Sequence, residues 1–270
     1  MPRTTNSQSR SRPDIADALA EAIFAGEHAP GEFLPREIDL CEAFAVSRST
    51  VRSALQVLVA AGMIIRISGQ GSRVQPLEKW HLLDPRVSHW LARFAHPNPV
   101  IQREIFAFRV AVEPFVARLA AENATAVDLL AIETAWQGMI RALEHDDLRF
   151  EGKTHDQYDV EFHEAIFNAS HNLVWAQISH VLKPAIALLV ERSNQSADRL
   201  QDSMDRHRRV MEAIRLRQPA EAAQAALAVL ERTGQDLGLE GLSRQLPNIE
   251  TNFDSSTTLP HNDSSQTQEG

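Results

Sequence analysis

The sequence predicts a mostly α-helical protein in two parts: a small N-terminal unit of three helices and a β-hairpin, and a larger all-helical bundle. Hydrophobic residues recur three and four positions apart over most of the chain, which is the spacing of one face of an α-helix. Glycine is scarce, at 11 of 270 residues, and this composition favours helices over a β-sandwich. Two short β-prone runs follow the third helix, and that order is typical of a winged helix-turn-helix.

Composition excludes several classes of protein. Cys41 is the single cysteine, so a disulfide framework is excluded and a reducing cytoplasm is expected. No apolar run reaches 18 residues, so we expect no transmembrane helix. The first 14 residues lack the apolar stretch of a signal peptide. The net charge of −9 excludes a uniformly basic surface but leaves room for a local basic patch.

Changes in composition divide the chain into four regions. Residues 1–13 are polar and predict a disordered arm. Residues 14–78 contain the short elements of the winged helix-turn-helix, and residues 79–240 contain a linker and an all-helical domain for effector binding and dimerisation. Residues 241–270, rich in Ser, Thr, Asn, Asp and Gln, predict a disordered tail.

Each element of the first unit has a local signal. Asp14 can cap a first helix whose apolar residues lie four apart and which ends near Gly26. The later elements are a second helix from Glu37 with Leu40 and Phe44 facing inward, a third helix capped by Ser47 and ending at Gly62, a strand at 63–67, a turn at 68–71 and a return strand at 72–74.

The second unit shows only helical periodicity. Pro114 lies inside the first of its helices and is expected to bend or break it. The predicted helices are 98–122, 125–147, 156–170, 172–195, 200–217 and 219–238, and together they predict a helical bundle.

Residues 44–77 form a basic window in an acidic chain. The window contains four arginines and no Asp or Glu, so its net charge is +4, and DNA phosphates are the natural complement. Arg48 and Arg52, at the start of the third helix, can contact guanine in a major groove. The alternative is that Ser47 is only a helix cap and that the arginines form a solvated face.

The segment from Gly31 to Val74 resembles the DNA-binding domain of the GntR family of bacterial transcription regulators. The resemblance rests on GEFLPRE at 31–37, VSRSTVR at 46–52 and the turn from Gly69. It implies a homodimer bound to double-stranded operator DNA. The residues that it places at or beside the DNA are Ser47, Arg48, Thr50, Arg52 and Gly69.

One departure from the family pattern concerns the second helix. Ile38 stands where the fatty-acid-responsive branch of the family has an arginine, and Arg36 lies two residues earlier as a candidate replacement. The operator of that branch therefore cannot be assumed for this chain.

Asp159 and His163 are the candidate metal ligands of the bundle. They lie four residues apart and so share one helix face, and the nearby Phe162 and Ile166 indicate that this face points inward. A carboxylate and an imidazole inside a helical bundle suit a divalent metal such as Zn, Ni or Mn. The alternative is a simple Asp–His hydrogen bond.

Residues 84–238 resemble the FCD-type effector domain of the FadR-like subgroup of the same family, through FRVAVEP at 108–114, DVEFH at 159–163 and HRRVMEAI at 207–214. This resemblance implies His207 as a third ligand. The fourth ligand of the family, a histidine in the last helix, falls at Leu230, beside Val229, and neither can coordinate. At most three protein ligands remain, so the metal either has open positions for effector oxygens or is absent.

Arg109 is the candidate clamp for an effector carboxylate, because a buried guanidinium needs an anionic partner. An ion pair with Glu113, four residues further on, is the alternative, and Arg192 is a weaker candidate for the same cavity. The linker pattern from Trp80 to Trp90 resembles the galactonate-responsive branch of the subgroup. The implied effector is a small carboxylate of the sugar-acid type.

The sequence therefore predicts a cytoplasmic transcription repressor released by a sugar acid, and not an enzyme. Two alternatives use the same three residues, Asp159, His163 and His207: a metal-dependent enzyme and a metal sensor. No separate nucleophile or general base accompanies these residues, which argues against the enzyme. The missing fourth ligand argues against the metal sensor.

Overall fold

The computed structural model of the protein describes residues 14–94, 99–196 and 200–239. The predicted disordered arm and tail lie outside these residues. In chain order the elements are α1 (Ile15–Phe24), α2 (Glu37–Phe44), α3 (Arg48–Ala60), β1 (Ile64–Ile67), β2 (Gly71–Val74), α4 (Pro85–Phe94), α5 (Pro99–Asn123), α6 (Ala126–Leu143), β3 (Arg149–Phe150), β4 (Lys153–Thr154), α7 (His155–Ala169), α8 (Leu173–Ser196), α9 (Leu200–Arg215) and α10 (Pro219–Asp236).

The N-terminal unit is a winged helix-turn-helix, as predicted. Helices α1, α2 and α3 bury their apolar faces in a common core that also receives Met63, Ile64 and Val74 from the hairpin. Strands β1 and β2 pair antiparallel, with Ile64 opposite Val74 and Ile67 opposite Gly71. The wing is therefore fixed to the helices by the apolar residues at its base.

Helix α4 lies in the segment that was expected to be a linker between the two units. Val87, Trp90 and Leu91 on one face of α4 are buried, and they join the core of the winged helix-turn-helix. The indole N–H of Trp90 donates a hydrogen bond to Asp17 of α1 at 2.8 Å. Helix α4 also packs against α8 of the bundle, so it contacts both units.

The bundle is all-helical, as predicted, apart from one short hairpin. Helix α5 continues through Pro114 rather than breaking there. The marked bend lies instead in α8, whose two halves, Leu173–Pro184 and Ile186–Asn194, are inclined by 57°, as expected at an internal proline. The β3–β4 hairpin was not predicted, because strands of two residues have no periodicity to detect.

Within the described ranges, no single helix is long and apolar enough to cross a membrane, although the two halves of bent α8 pass that test as a pair by length and composition.

Close packing of α6 on α7 brings the helix that carries Asp159 and His163 into the core. A Cβ atom on Gly138 of α6 would lie 2.2 Å from Cδ1 of Tyr158 on α7, so only glycine fits at this crossing. Tyr158 is itself anchored by its hydroxyl, which donates to the carbonyl of Phe150 at 3.1 Å. The inward face of α7 is held in this way against the helices that surround it.

Candidate functional site

The N-terminal end of helix α3 is exposed. The hydroxyl of Ser47 accepts a hydrogen bond from the backbone N–H of Thr50 at 3.3 Å, which makes Ser47 the N-cap. Val51, Ala54, Leu55 and Leu58 face the core. Arg48, Thr50 and Arg52 are exposed on the other side.

Glu37 lies outside the basic window in sequence but places a negative charge beside two of its arginines. Its carboxylate accepts from Nε of Arg52 at 2.9 Å and from a guanidinium nitrogen of Arg66. These hydrogen bonds lower the pKa of Glu37. The three residues form an exposed ion-pair network, in which phosphates can replace the carboxylate at little cost because exposed pairs are weak.

Two further predicted DNA-contacting residues lie at exposed positions. Arg36 is exposed immediately before α2, where its backbone N–H donates to Asp39 at 3.1 Å. Gly69 lies at the tip of the wing with a φ of 74°, a left-handed conformation that favours glycine. Nothing lies within 4 Å of the position of a Cβ on Gly69, so this backbone is open to a close approach.

The second candidate site lies inside the bundle, where Asp159 and His163 of α7 meet His207 of α9. All three side chains are buried, and one possible ligand atom of each lies within 4.8 Å of the other two. Oδ1 of Asp159 lies 3.3 Å from Nε2 of His163 and 3.5 Å from Nε2 of His207. The structure therefore brings together the three residues that were predicted to bind a metal.

Both histidines turn Nε2 towards the centre of this cluster, because Nδ1 of each faces an outer acceptor. Nδ1 of His207 lies 2.8 Å from the carbonyl oxygen of Ser203; since a carbonyl can only accept, Nδ1 carries the proton and Nε2 has the lone pair. Nδ1 of His163 similarly faces Oε2 of Glu113 at 3.0 Å. This is the arrangement in which an outer carboxylate orients a metal-ligating imidazole.

The cluster fits a divalent ion. Oδ1 of Asp159 and Nε2 of His207 are buried and have no hydrogen-bond partner among the described residues, and such orphaned atoms are costly unless something binds them. A tetrahedral ion with bonds of about 2.0–2.1 Å has ligand atoms roughly 3.3–3.4 Å apart, close to the two distances measured from Asp159. The three residues could therefore hold a metal, and they do not identify which one.

Arg109 and Glu113 of α5 form a buried ion pair beside the cluster. Nε of Arg109 lies 2.5 Å from Oε1 of Glu113, and the two side chains are only 1% and 5% exposed. Burial raises the pKa of Glu113, but Arg109 and His163 outweigh it and lower that pKa to about 2. The ion pair that was considered as an alternative is thus formed, while Nη1 of Arg109 has no partner among the described residues and Arg109 still lines the cavity.

His163 is the point at which this ion pair meets the cluster. Nη2 of Arg109 lies 3.2 Å from Nε2 of His163. Burial lowers the pKa of His163, but the Glu113 carboxylate, with help from Asp159 and against the effect of Arg109, raises it to about 9. A metal ion, a proton and the Arg109 guanidinium therefore compete for the same lone pair.

The cavity next to the cluster is lined from several helices. Arg192, a candidate from sequence, is not among the lining residues, whereas its neighbours Ser193 and Asn194 are, because successive helical residues point about 100° apart. Sequence reasoning missed two lining arginines, Arg206 and Arg232. The position of Arg206 next to His207 was the signal that could have identified the first of them.

The predicted position of the missing fourth ligand needs a correction. Val229 lines the cavity beside His207. Leu230 points away and packs with Phe106, Val110 and Leu189. Val229, not Leu230, is the residue of α10 that faces the ion site, and the conclusion that α10 supplies no ligand there is unchanged.

Models of known protein families match both units of the chain. The model of the bacterial regulatory proteins of the gntR family matches residues 12–74, and the FCD domain model matches residues 104–232. Both matches overlap the regions in which the sequence resembled this family.

Two curated relatives match most of the chain. The galactonate operon transcriptional repressor of Escherichia coli K12 is 32% identical over 217 residues, which cover 80% of this chain and 92% of the relative. The Glc operon transcriptional activator of the same strain is 30% identical over 237 residues, covering 84% and 90%.

A solved structure supports the fold. Lar, described as controlling expression of the Listeria monocytogenes agr system, superposes with a TM-score of 0.53 at 20% identity, covering 84% of this chain and 96% of Lar. The family consists of DNA-binding transcription regulators and is not enzymatic, which removes the alternative of a metal-dependent enzyme. The chain belongs to the GntR family of bacterial regulators and carries an FCD domain.

Proposed function

We propose that the protein is a cytoplasmic, homodimeric repressor that leaves its operator when a small sugar acid binds the bundle. Each winged helix-turn-helix would read one half of a near-palindromic site. The residues proposed to contact DNA are Arg36, Ser47, Arg48, Thr50, Arg52 and Gly69. Galactonate is the first candidate effector, since the relative named for the galactonate operon is a repressor that matches most of the chain.

The observation that carries this proposal is the cavity in which the buried ligand triad and three arginines meet. Asp159, His163 and His207 would hold a divalent ion, and three protein ligands leave positions that hydroxyl or carboxylate oxygens can fill. Arg109 and the other arginines of the cavity provide positive charge for an acid. A polyhydroxylated carboxylate satisfies both requirements.

Selection from random duplexes with the full-length protein, followed by fluorescence anisotropy on the selected duplex, tests DNA recognition. We expect a near-palindromic site whose affinity falls steeply with salt. Arg48→Ala should abolish specific binding, and Arg141→Ala, an exposed arginine of the bundle, should not. Equal binding by both variants would refute the assignment of α3 as the DNA-reading helix.

Titration of D-galactonate into the DNA complex, with and without Zn²⁺, tests the effector. We expect galactonate to release the duplex and Zn²⁺ alone to leave it bound, because release requires a ligand with higher affinity for the DNA-incompetent state. Release by Zn²⁺ alone would instead identify a metal sensor. No response to galactonate in either condition would refute the proposed effector.

A further inference from the structure

Arg206 of α9 and Arg232 of α10 form an arginine pair on the wall of the cavity, and neither was predicted from the sequence. Both side chains are partly buried and both line the cavity. Arg232 has a partner on its own helix, since its Nη2 lies 2.9 Å from Oδ1 of Asp236. Arg206 forms no salt bridge with any residue in the described part of the chain.

The two guanidiniums of this wall differ in their pairing. Asp236 is engaged already, because it pairs with Arg232 and accepts a hydrogen bond from Ser193 at 3.3 Å. Arg206 is therefore the guanidinium of this wall that pairs with no carboxylate in the described part of the chain, and an incoming anion can supply its partner.

Arg109, the third arginine of the cavity, is in a different situation. Its Nε is bound to Glu113 at 2.5 Å, and its Nη2 lies 3.2 Å from His163. Only Nη1 has no partner among the described residues. Because Glu113 already neutralises this guanidinium, it attracts an incoming carboxylate less strongly than Arg206 does.

We infer that Arg206, assisted by Arg232, binds the carboxylate of the effector and sets the preference for acids over neutral polyols. Arg109 instead acts as a positioning residue, since it holds Glu113, which faces Nδ1 of the metal ligand His163. The effector would then present its carboxylate to the α9–α10 wall and its hydroxyls to Asp159, His163 and His207. This inference rests on the proposed function and adds the residue that recognises the acid group.

Calorimetric titration of the Zn²⁺-loaded protein with two probes tests the inference. D-Galactonate carries the carboxylate, and galactitol has the same carbon chain with a neutral end. We expect Arg206→Gln to weaken galactonate binding at least tenfold and to leave galactitol binding unchanged. Arg206→Lys should restore part of the loss, because it keeps the charge but not the two-pronged geometry. Arg208→Gln, an exposed position on the same helix, is the matched control and should behave as wild type.

The outcomes separate this inference from the proposed function. Equal galactonate affinity in wild type and Arg206→Gln would overturn the role of Arg206 while the proposed function stands. Equal losses for both probes would also overturn it, because they would indicate a damaged cavity rather than a lost charge contact. Galactonate that fails to bind the wild type would refute the proposed function, and this inference with it.

Discussion

Two arginine–glutamate pairs on α5 provide a controlled test of what burial does to an ion pair. Both have the same residue types at the same spacing of four. The Arg109–Glu113 side chains are 1% and 5% exposed, whereas the Arg118–Glu122 side chains are 30% and 40% exposed. A change of glutamate to glutamine removes the charge at each site with little change in shape, so a comparison of the two isolates burial.

The expected loss in the free energy of unfolding follows from the contacts that glutamine at position 113 would not make. Glu113→Gln leaves the Arg109 guanidinium buried without its counter-charge and removes the carboxylate that lies 3.0 Å from Nδ1 of His163. Removing one partner of a buried pair costs about 3–5 kcal/mol. The lowered pKa of Glu113, about 2 against 4.5, gives a similar figure of about 3 kcal/mol near neutral pH. Glu122→Gln should cost only about 0.3–0.5 kcal/mol.

Urea denaturation of the metal-free protein at pH 7, followed by circular dichroism, measures both costs. We expect the free energy of unfolding of the bundle to fall by about 3 kcal/mol or more in Glu113→Gln and to change little in Glu122→Gln. Chelator competition should also show Zn²⁺ affinity roughly 10–100-fold weaker in Glu113→Gln, since the group that orients His163 is altered. Equal destabilisation by the two variants would refute the reasoning, because burial would then make no difference.

Three further predictions concern single positions. Val229→His should tighten Zn²⁺ binding in a chelator competition, because it supplies a fourth ligand. Leu230→His should not, because Leu230 faces a separate apolar cluster. Equal Zn²⁺ affinities of the two variants would contradict the orientation of α10. Gly138→Ala should lower the free energy of unfolding by roughly 1–3 kcal/mol, because the new Cβ meets the Tyr158 ring. A melting temperature equal to that of the wild type would show that α6 and α7 move apart at no cost. Ser47→Ala should cost about 1 kcal/mol in thermal unfolding and Ser47→Asn should cost less, and equal stability of both variants and wild type would show that the cap is not needed.

The winged helix-turn-helix was predictable because its boundaries carry local signals. Asp14 and Ser47 each accept the backbone hydrogen bond expected of an N-cap, and Gly62, which ends the third helix, has a φ of 71°. Helix α4 carried such a signal too. Pro85 occupies its first position, and the carboxylate of Asp84 accepts from the N–H of Arg86 at 2.8 Å. The pattern of widely spaced tryptophans suggested a linker and concealed this helix start.

The cavity was predictable only where its residues share a helix. Asp159 and His163 converge because α7 alone sets their separation, so the spacing of four was sufficient. Arg206 and Arg232 come from different helices, and their meeting depends on how each helix is rotated about its own axis. A sequence pattern fixes that rotation only roughly, and an error of one residue turns a side chain by about 100°. For this reason the family resemblance placed the fourth-ligand position at Leu230, whereas in the structure Val229 faces the cavity.

The position of α8 gives a physical reason to expect the cavity and the DNA-reading unit to be coupled. Ser193 and Asn194 of α8 line the cavity, and the same helix packs against α4. Helix α4 is in turn buried against the winged helix-turn-helix, with Trp90 hydrogen-bonded to Asp17. A ligand shifts an equilibrium only by the difference in its affinity for the two states, so an effector that changes DNA binding must favour one arrangement of α8 against α4. Because α4 packs against both α8 and the winged helix-turn-helix, we expect a displacement of α8 to change the position of α4 against α1.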